Sequence, residues 1–310
     1  SRLFNDLTSG LTRGLTMSEK HPIIAITGSS GAGTTSVTRT FDNIFRREGV
    51  TAAMIEGDSF HRYDRKEMKL RQAEAEQGGN KNFSHFGPEN NLFAELEQLF
   101  HSYAESGTGK QRKYLHNAEE AAPYRQDPGT FTPWENLPER TDLLFYEGLH
   151  GAVVTPEVDI ARHPDLLIGV VPVINLEWIQ KLWRDTKQRG YSPEAFTDTI
   201  LRRMPDSVNY ICPQFTHTHV NFQRVPCVDT SNPFIARDIP SPDESMVVIR
   251  FANPKGIDFQ YLMNMIHNSF MSRANTIVVP GGKMELAMQL IFTPYIWRMM
   301  ERRQRAHGAL

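Results

Sequence analysis

The sequence predicts an α/β protein: a mainly parallel sheet, antiparallel strands added at one edge, and helices on both faces. Three observations predict it. Short unbroken apolar runs recur at Ile23–Thr27, 142–146 and Leu166–Val171, as in strands buried on both faces. Segments of helical period stand between such runs. The first run leads at once into a Gly/Ser-rich turn, a helix and a second strand, which makes one βαβ unit.

The elements follow in order. Ile23–Thr27 is the first strand and 28–33 the glycine turn. Residues 35–47 read as a helix with Val37, Phe41, Ile44 and Phe45 on one face, closed by Gly49. Residues 51–55 form the second strand. The polar stretch 61–91 reads as exposed helix and loop, and 92–103 as a helix with Leu92, Leu96, Leu99 and Tyr103 recurring. Residues 106–140, rich in Gly, Pro and charge, read as a long excursion over the active side, because long excursions inside a compact domain tend to be functional. The strand at 142–146 ends at Glu147-Gly148. After Leu166–Val171 come helices at 175–186 and 194–204, with basic residues crowding the link. Residues 224–228, 246–251 and Thr276–Pro280 read as strands, and 259–268 and 284–302 as helices, the last kinked by Pro294. The apolar stripe of Phe259, Tyr261, Met265 and Ile266 reads as core.

Composition excludes several functions. The 34 Lys+Arg residues against 36 Asp+Glu leave a charge of −2, so there is no global field for nucleic acid or an anionic membrane. With 39% hydrophobic and 23% charged residues, the chain is neither fibrous nor disordered. Cys212 and Cys227 cannot build a disulfide scaffold, and they point to a reducing, cytoplasmic compartment. The longest apolar stretch, 166–174, contains Gly169 and Pro172 and falls short of the roughly 20 residues a membrane span needs. Residues 1–16 read as a leader outside the core, either an expression remnant or a native extension, and 17–310 as a single domain.

Chemistry concentrates at a few places. Gly28-Ser29-Ser30-Gly31-Ala32-Gly33-Thr34-Thr35 lies between a strand and a helix, where backbone N–H groups and the helix N-terminus can cradle a phosphate. Thr35 is placed to offer a hydroxyl to Mg²⁺. The usual lysine of such loops is replaced by Thr34, and the loop alone is also compatible with a plain strand–helix turn. Asp58 follows the second strand directly, and Glu147 follows the strand at 142–146 in the same way. Strand carboxyl ends face the ligand crevice of an open α/β sheet, so Asp58 can take a proton from an attacking hydroxyl and Glu147 can hold Mg²⁺. Lys181, Arg184 and Lys187, spaced by three, are expected on one helix face as a substitute for the missing lysine, with Arg189 at the helix end in a lid around 181–190. The cluster from His61 to Lys66 suggests a second phosphate site and hence a phosphorylated acceptor. Cys212, His217 and His219 suggest zinc only weakly, since a fourth ligand is not evident.

Together, the loop 28–35, Ile55-Glu56-Gly57-Asp58-Ser59-Phe60-His61-Arg62, Asn82-Phe83-Ser84-His85-Phe86, Phe145-Tyr146-Glu147-Gly148-Leu149-His150-Gly151 and the segments 173–181, 228–237 and 271–275 resemble the bacterial-type phosphoribulokinases, from about residue 20 to 300. The resemblance implies a P-loop nucleoside triphosphate hydrolase-like fold and ATP- and Mg²⁺-dependent phosphorylation of the C1 hydroxyl of D-ribulose 5-phosphate, the Calvin-cycle step giving ribulose 1,5-bisphosphate. It implies Asp58 as base, with Glu147, Lys181, Arg184 and Asp185 also catalytic. His61, Arg65, Lys69, Tyr114, His150 and Arg189 fall at positions for the sugar phosphate, and Arg202 and Arg203 at positions linked to allosteric control. NADH activation, AMP inhibition and an octamer are further implications. The thiol switch of plant-type members is unavailable, because 28–35 holds no cysteine. A uridine or pantothenate kinase, sharing the loop and Asp58, is the competing enzyme; a degenerate ATP-binding regulator is the competing non-enzyme.

Overall fold

The computed structural model describes residues 19–28, 34–188, 190, 192–235 and 238–308. In chain order the main elements are β1 (Ile23–Thr27), α1 (Thr34–Glu48), β2 (Ala52–Glu56), α2 (Arg65–Gln77), α3 (Phe93–Ser106), β3 (Lys110–Gln111), β4 (Glu135–Asn136), β5 (Leu143–Gly148) and β6 (Leu166–Val171). They continue as α4 (Ile174–Trp183), α5 (Pro193–Asp206), β7 (Val220–Pro226), β8 (Ser245–Phe251), α6 (Phe259–Met265), β9 (Phe270–Arg273), β10 (Thr276–Pro280) and α7 (Met284–Ala306).

The 8-stranded sheet has the order β2-β5-β1-β6-β7-β8-β10-β9. From β2 to β7 every pairing is parallel; β8, β10 and β9 join antiparallel. This is the expected mixture, with the antiparallel strands gathered at one edge. The apolar character of β1 follows from its place in the middle. Ile24 and Ile26 face Val37, Phe41 and Ile44 of α1 and Phe292 of α7 in one core. Ile23 and Ala25 face Phe100 and Tyr103 of α3 in the other. Every β1 residue is buried, so no alternation with polar residues is available to it. Fully burying a side chain such as Phe41 contributes about 1.5–3 kcal/mol, and covering both faces repeats that gain on each.

Several elements differ from expectation. β7 begins at Val220, before 224, because Val220 continues the parallel ladder opposite Ile168. α4 stops at Trp183, before 186, because the chain widens into a π turn over Arg184–Gln188. That turn also breaks the expected basic stripe: Lys181 is buried, Arg184 pairs with its neighbour Asp185 at 3.1 Å, and the Lys187 ammonium lies 5.7 Å over the Trp183 ring. The apolar stripe of α6 is also corrected. Leu262 and Ile266 are buried, whereas Tyr261 and Met265 are each 47% exposed. α7 runs from Met284 to Ala306 with Pro294 inside it. His219 is a backbone cap, its Nδ1 accepting the Leu167 N–H at 3.0 Å, and the described residues contain no group of three or more His, Cys, Asp or Glu fit to hold a metal, so the zinc reading falls. No helix among the described residues is long and apolar enough to cross a membrane.

Candidate active site

The chain turns away from β1 toward β5 on one side and β6 on the other, which opens a crevice at the strand carboxyl ends. Gly28, just past β1, donates its N–H to Gly148 O at 3.1 Å. Across the crevice mouth, Gly57 and Gly148 touch backbone to backbone. A Cβ on Gly57 would lie 2.7 Å from Gly148 Cα, and one on Gly148 would lie 2.6 Å from Gly57 Cα. Only glycine permits that approach. It brings the Asp58 turn against the end of the strand that carries Glu147.

A cavity of about 480 Å³ sits there, with Gly28, Asp58, His61, Tyr114, His116, Glu147, Lys181 and Arg203 among its lining residues. Asp58 stands in a short turn, Gly57–Phe60, whose Ser59 hydroxyl donates to Glu56 O at 2.7 Å. His116 Nε2 lies 3.0 Å from Asp58 Oδ2, and His61 Nε2 lies 3.4 Å from Oδ1. Burial pushes the Asp58 carboxyl up, but the hydrogen bonds and charges of His116 and His61 outweigh it and hold the group well below the usual carboxylate range. Asp58 is therefore ionised, as a proton acceptor must be at the start of a reaction. The bond to Asp58, helped by Glu120 at 3.1 Å, pushes His116 up to about 9.

The turn is braced from outside. Arg112 donates from Nε to Ser59 O (2.8 Å) and from Nη2 to His61 O (2.6 Å), with its guanidinium 3.7 Å over Phe131 and 4.7 Å over Trp134. Burial lowers its pKa to about 10. Arg65 Nη2 donates to His116 O at 2.7 Å and lies 6.0 Å over the Tyr114 ring. The 106–140 excursion thus reaches the cavity, as its length suggests.

Lys181 enters from the opposite wall, only 6% exposed, its ammonium 2.5 Å from Glu177 Oε1. Lys181 and Arg203 flank the Phe86 ring at 6.0 Å and 5.4 Å. Arg202 points elsewhere, paired with Glu76 of α2. The structure does not bring every expected residue to the cavity. His150 is buried behind it, Nε2 3.0 Å from Phe86 O and its ring 4.8 Å from Phe93, and burial lowers its pKa to about 3. Lys69 is exposed on α2, and Arg184 and Asp185 pair with each other; none of the three is a cavity-lining residue. Arg65 acts on the cavity through His116 and Tyr114 rather than by lining it. Ser29, Ser30, Gly31, Ala32, Gly33 and Arg189 lie outside the described residues, as do the side chains of Thr34 and Thr35.

Sequence reading missed His116, Glu120 and Arg112. Only the position of the excursion hinted at them, for it has no periodicity from which to select a residue. The donors that the sequence offers a metal, the Glu147 carboxylate and the Thr35 hydroxyl, are all oxygen, which suits Mg²⁺ held jointly with phosphates.

A phosphate-loop strand and helix, with two carboxylates across the crevice and cations around them, define the class of small-molecule kinases. The model of the phosphoribulokinase / uridine kinase family matches residues 23–231. The chain is 81% identical over 290 residues to the chromosomal phosphoribulokinase of Cupriavidus necator, covering 94% of this chain and 99% of that one. It is 69% identical over 290 residues to phosphoribulokinase of Nitrobacter vulgaris, covering 94% and 100%. The solved phosphoribulokinase from Rhodobacter spheroides superposes with a TM-score of 0.85 at 58% identity, covering 92% of this chain and 99% of that one. The chain belongs to the phosphoribulokinase / uridine kinase family, and its fold is the P-loop kinase fold.

Proposed function

We propose that the protein transfers the γ-phosphoryl group of ATP to the C1 hydroxyl of D-ribulose 5-phosphate, giving ribulose 1,5-bisphosphate and ADP for the Calvin cycle. One observation carries the reading: an ionised Asp58 lines a cavity bounded by Gly28 at the end of the phosphate-loop strand and by the cationic side chains of Lys181 and Arg203. The names of the relatives at 81% and 69% identity support the sugar phosphate over uridine as acceptor. Asp58 takes the proton of the attacking hydroxyl. His61, Arg65, Lys69, Tyr114, His150 and Arg189 serve the sugar phosphate; of these, His61 and Tyr114 line the cavity, Arg65 and His150 brace it, and Lys69 stands on the outer helix. Residues 28–35 bind ATP. Thr35 and Glu147 hold Mg²⁺, which neutralises phosphate charge when bound. Lys181, Arg184 and Asp185 form the side from which the lid at 181–190 closes, within a single domain spanning 17–310.

Effector control by NADH and AMP through Arg202 and Arg203, octamer assembly and a cytoplasmic setting complete the proposal. Arg203 in the cavity wall and Arg202 on its outer side give effector binding a short path to the acceptor. An ADP-release assay run in parallel with ribulose 5-phosphate, uridine and pantothenate, with and without NADH, tests it. Turnover with ribulose 5-phosphate alone, raised by NADH, is expected; turnover with uridine alone overturns it.

A further inference from the structure

His61 lies between the base and the wall, and its ring is held by a neighbour that no role above uses. Asn91 is 3% exposed, and its Oδ1 is 2.8 Å from His61 Nδ1. The orientation of the Asn91 amide is settled by its other contacts. Nδ2 donates to His85 O at 2.8 Å and to Gly87 O at 2.7 Å. Reversing the amide would press its oxygen against two carbonyl oxygens, so Oδ1 must face the histidine. An amide oxygen only accepts, so His61 Nδ1 must carry hydrogen. Nε2 faces Asp58 Oδ1, a carboxylate oxygen that likewise only accepts, so the ring's other nitrogen is aimed as a donor at the base. The backbone fixes the same pair: Leu92 N donates to Phe60 O and Arg62 N to Asn90 O, both at 2.8 Å. The His85 ring, 4.6 Å away, covers the imidazole.

We propose that Asn91 is a positioning residue: it locks hydrogen on His61 Nδ1 and turns Nε2 on Asp58 and the acceptor cavity. Without the lock the ring can take the other tautomer or turn over, and the base and the acceptor phosphate lose an oriented donor. This inference rests on the reading of the cavity as the acceptor site.

Three measurements test it. The ¹⁵N spectrum of the histidine-labelled chain without substrate, with the His61 signals assigned from His61→Asn, should show Nδ1 protonated. Asn91→Ala should raise KM for ribulose 5-phosphate about tenfold while KM for ATP stays within about twofold, the loss of one hydrogen bond to an ionisable group. In a His61→Asn background the same substitution should add less than about twofold. Equal losses in both backgrounds would make Asn91 a general structural residue and overturn the proposal. So would an unchanged KM, or an Nε2-protonated neutral ring in the unsubstituted chain. If Asn91→Ala fails to fold, the spectrum of the unsubstituted chain decides. A chain that phosphorylates uridine alone removes the proposed acceptor but leaves the spectrum to decide the lock, so the two failures are told apart.

Discussion

The two walls of the crevice are built differently. The turn carrying Asp58 and His61 is closed within itself by the Ser59–Glu56 bond and tied by Arg112, Asn91 and the Gly57–Gly148 contact, so its outside neighbours come from three separate segments of the chain. On the opposite rim, from Lys181 to Lys187, the cations are paired with groups close in sequence. Lys181 pairs with Glu177 one turn back, Arg184 with Asp185, and Lys187 rests on Trp183. The first wall is pre-shaped for proton transfer. The second keeps its cations on a short α-to-π segment, where Lys181 and Arg184 pair with carboxylates close in sequence that phosphate oxygens can replace. Positioning the base demands rigidity, whereas neutralising transferred charge demands approach.

Substitutions on each wall can break this contrast. The largest effect is expected from Asp58→Asn, which removes the base but leaves every brace: kcat should fall by about 10²–10⁴, with ATP affinity within about twofold by equilibrium binding. A near-normal kcat would strip Asp58 of its role. Lys181→Met should lower kcat by about 10² and cost stability as well, because the buried ion pair between Lys181 and Glu177 is removed. A pure activity loss, with the urea midpoint unchanged, would mean that the rim is less self-supporting than its contacts imply. Gly148→Ala forces a methyl toward Gly57 Cα at 2.6 Å and Tyr146 Oη at 2.5 Å. It should destabilise by about 1–3 kcal/mol in urea unfolding; a neutral result would show that the backbone contact yields.

The smallest effect is one of pH. The folded-state pKa of His116 is raised to about 9, above its ordinary 6.5, by the bond to Asp58. A raised value means that the bond stabilises fully below about pH 6.5, weakens from there, and is lost above about 9. The Tm difference between the unsubstituted chain and His116→Gln should therefore be largest and flat at pH 5–6.5 and should vanish by pH 9–10. A difference that grows with pH would reverse the assigned pairing. Because the His116 side chain is 39% exposed, the difference should be small and salt-sensitive.

The sheet was legible in the sequence because a strand covered on both faces leaves an apolar run that little else mimics, as at Ile23–Thr27 and Leu166–Val171. Asp58 and Glu147 were legible for a related reason: each stands at the carboxyl end of a strand, and strand carboxyl ends face the crevice of an open α/β sheet. The basic rim was misread because the count of three between Lys181, Arg184 and Lys187 assumes an α-helix, and the π turn changes the angle per residue. Tyr261 and Met265 were misread because they share the apolar character, though not the face, of Leu262 and Ile266. His116 and Arg112 were invisible for want of any local period; their places are set by pairing within the excursion, Lys110–Gln111 against Glu135–Asn136 and Tyr114 against Phe131.

The contact between Gly57 and Gly148 has a consequence for engineering. The spacing between the base segment and the metal-side carboxylate is a gauge made of main chain, with the Tyr146 hydroxyl lying against both glycines. Redesigning the cores for heat tolerance should spare that gauge as long as Tyr146 is kept, whereas resizing the acceptor pocket from this side is closed to any side chain larger than hydrogen at either position. Variants with altered acceptor preference are better sought on the 106–140 excursion, where the wall is formed by side chains that can be exchanged.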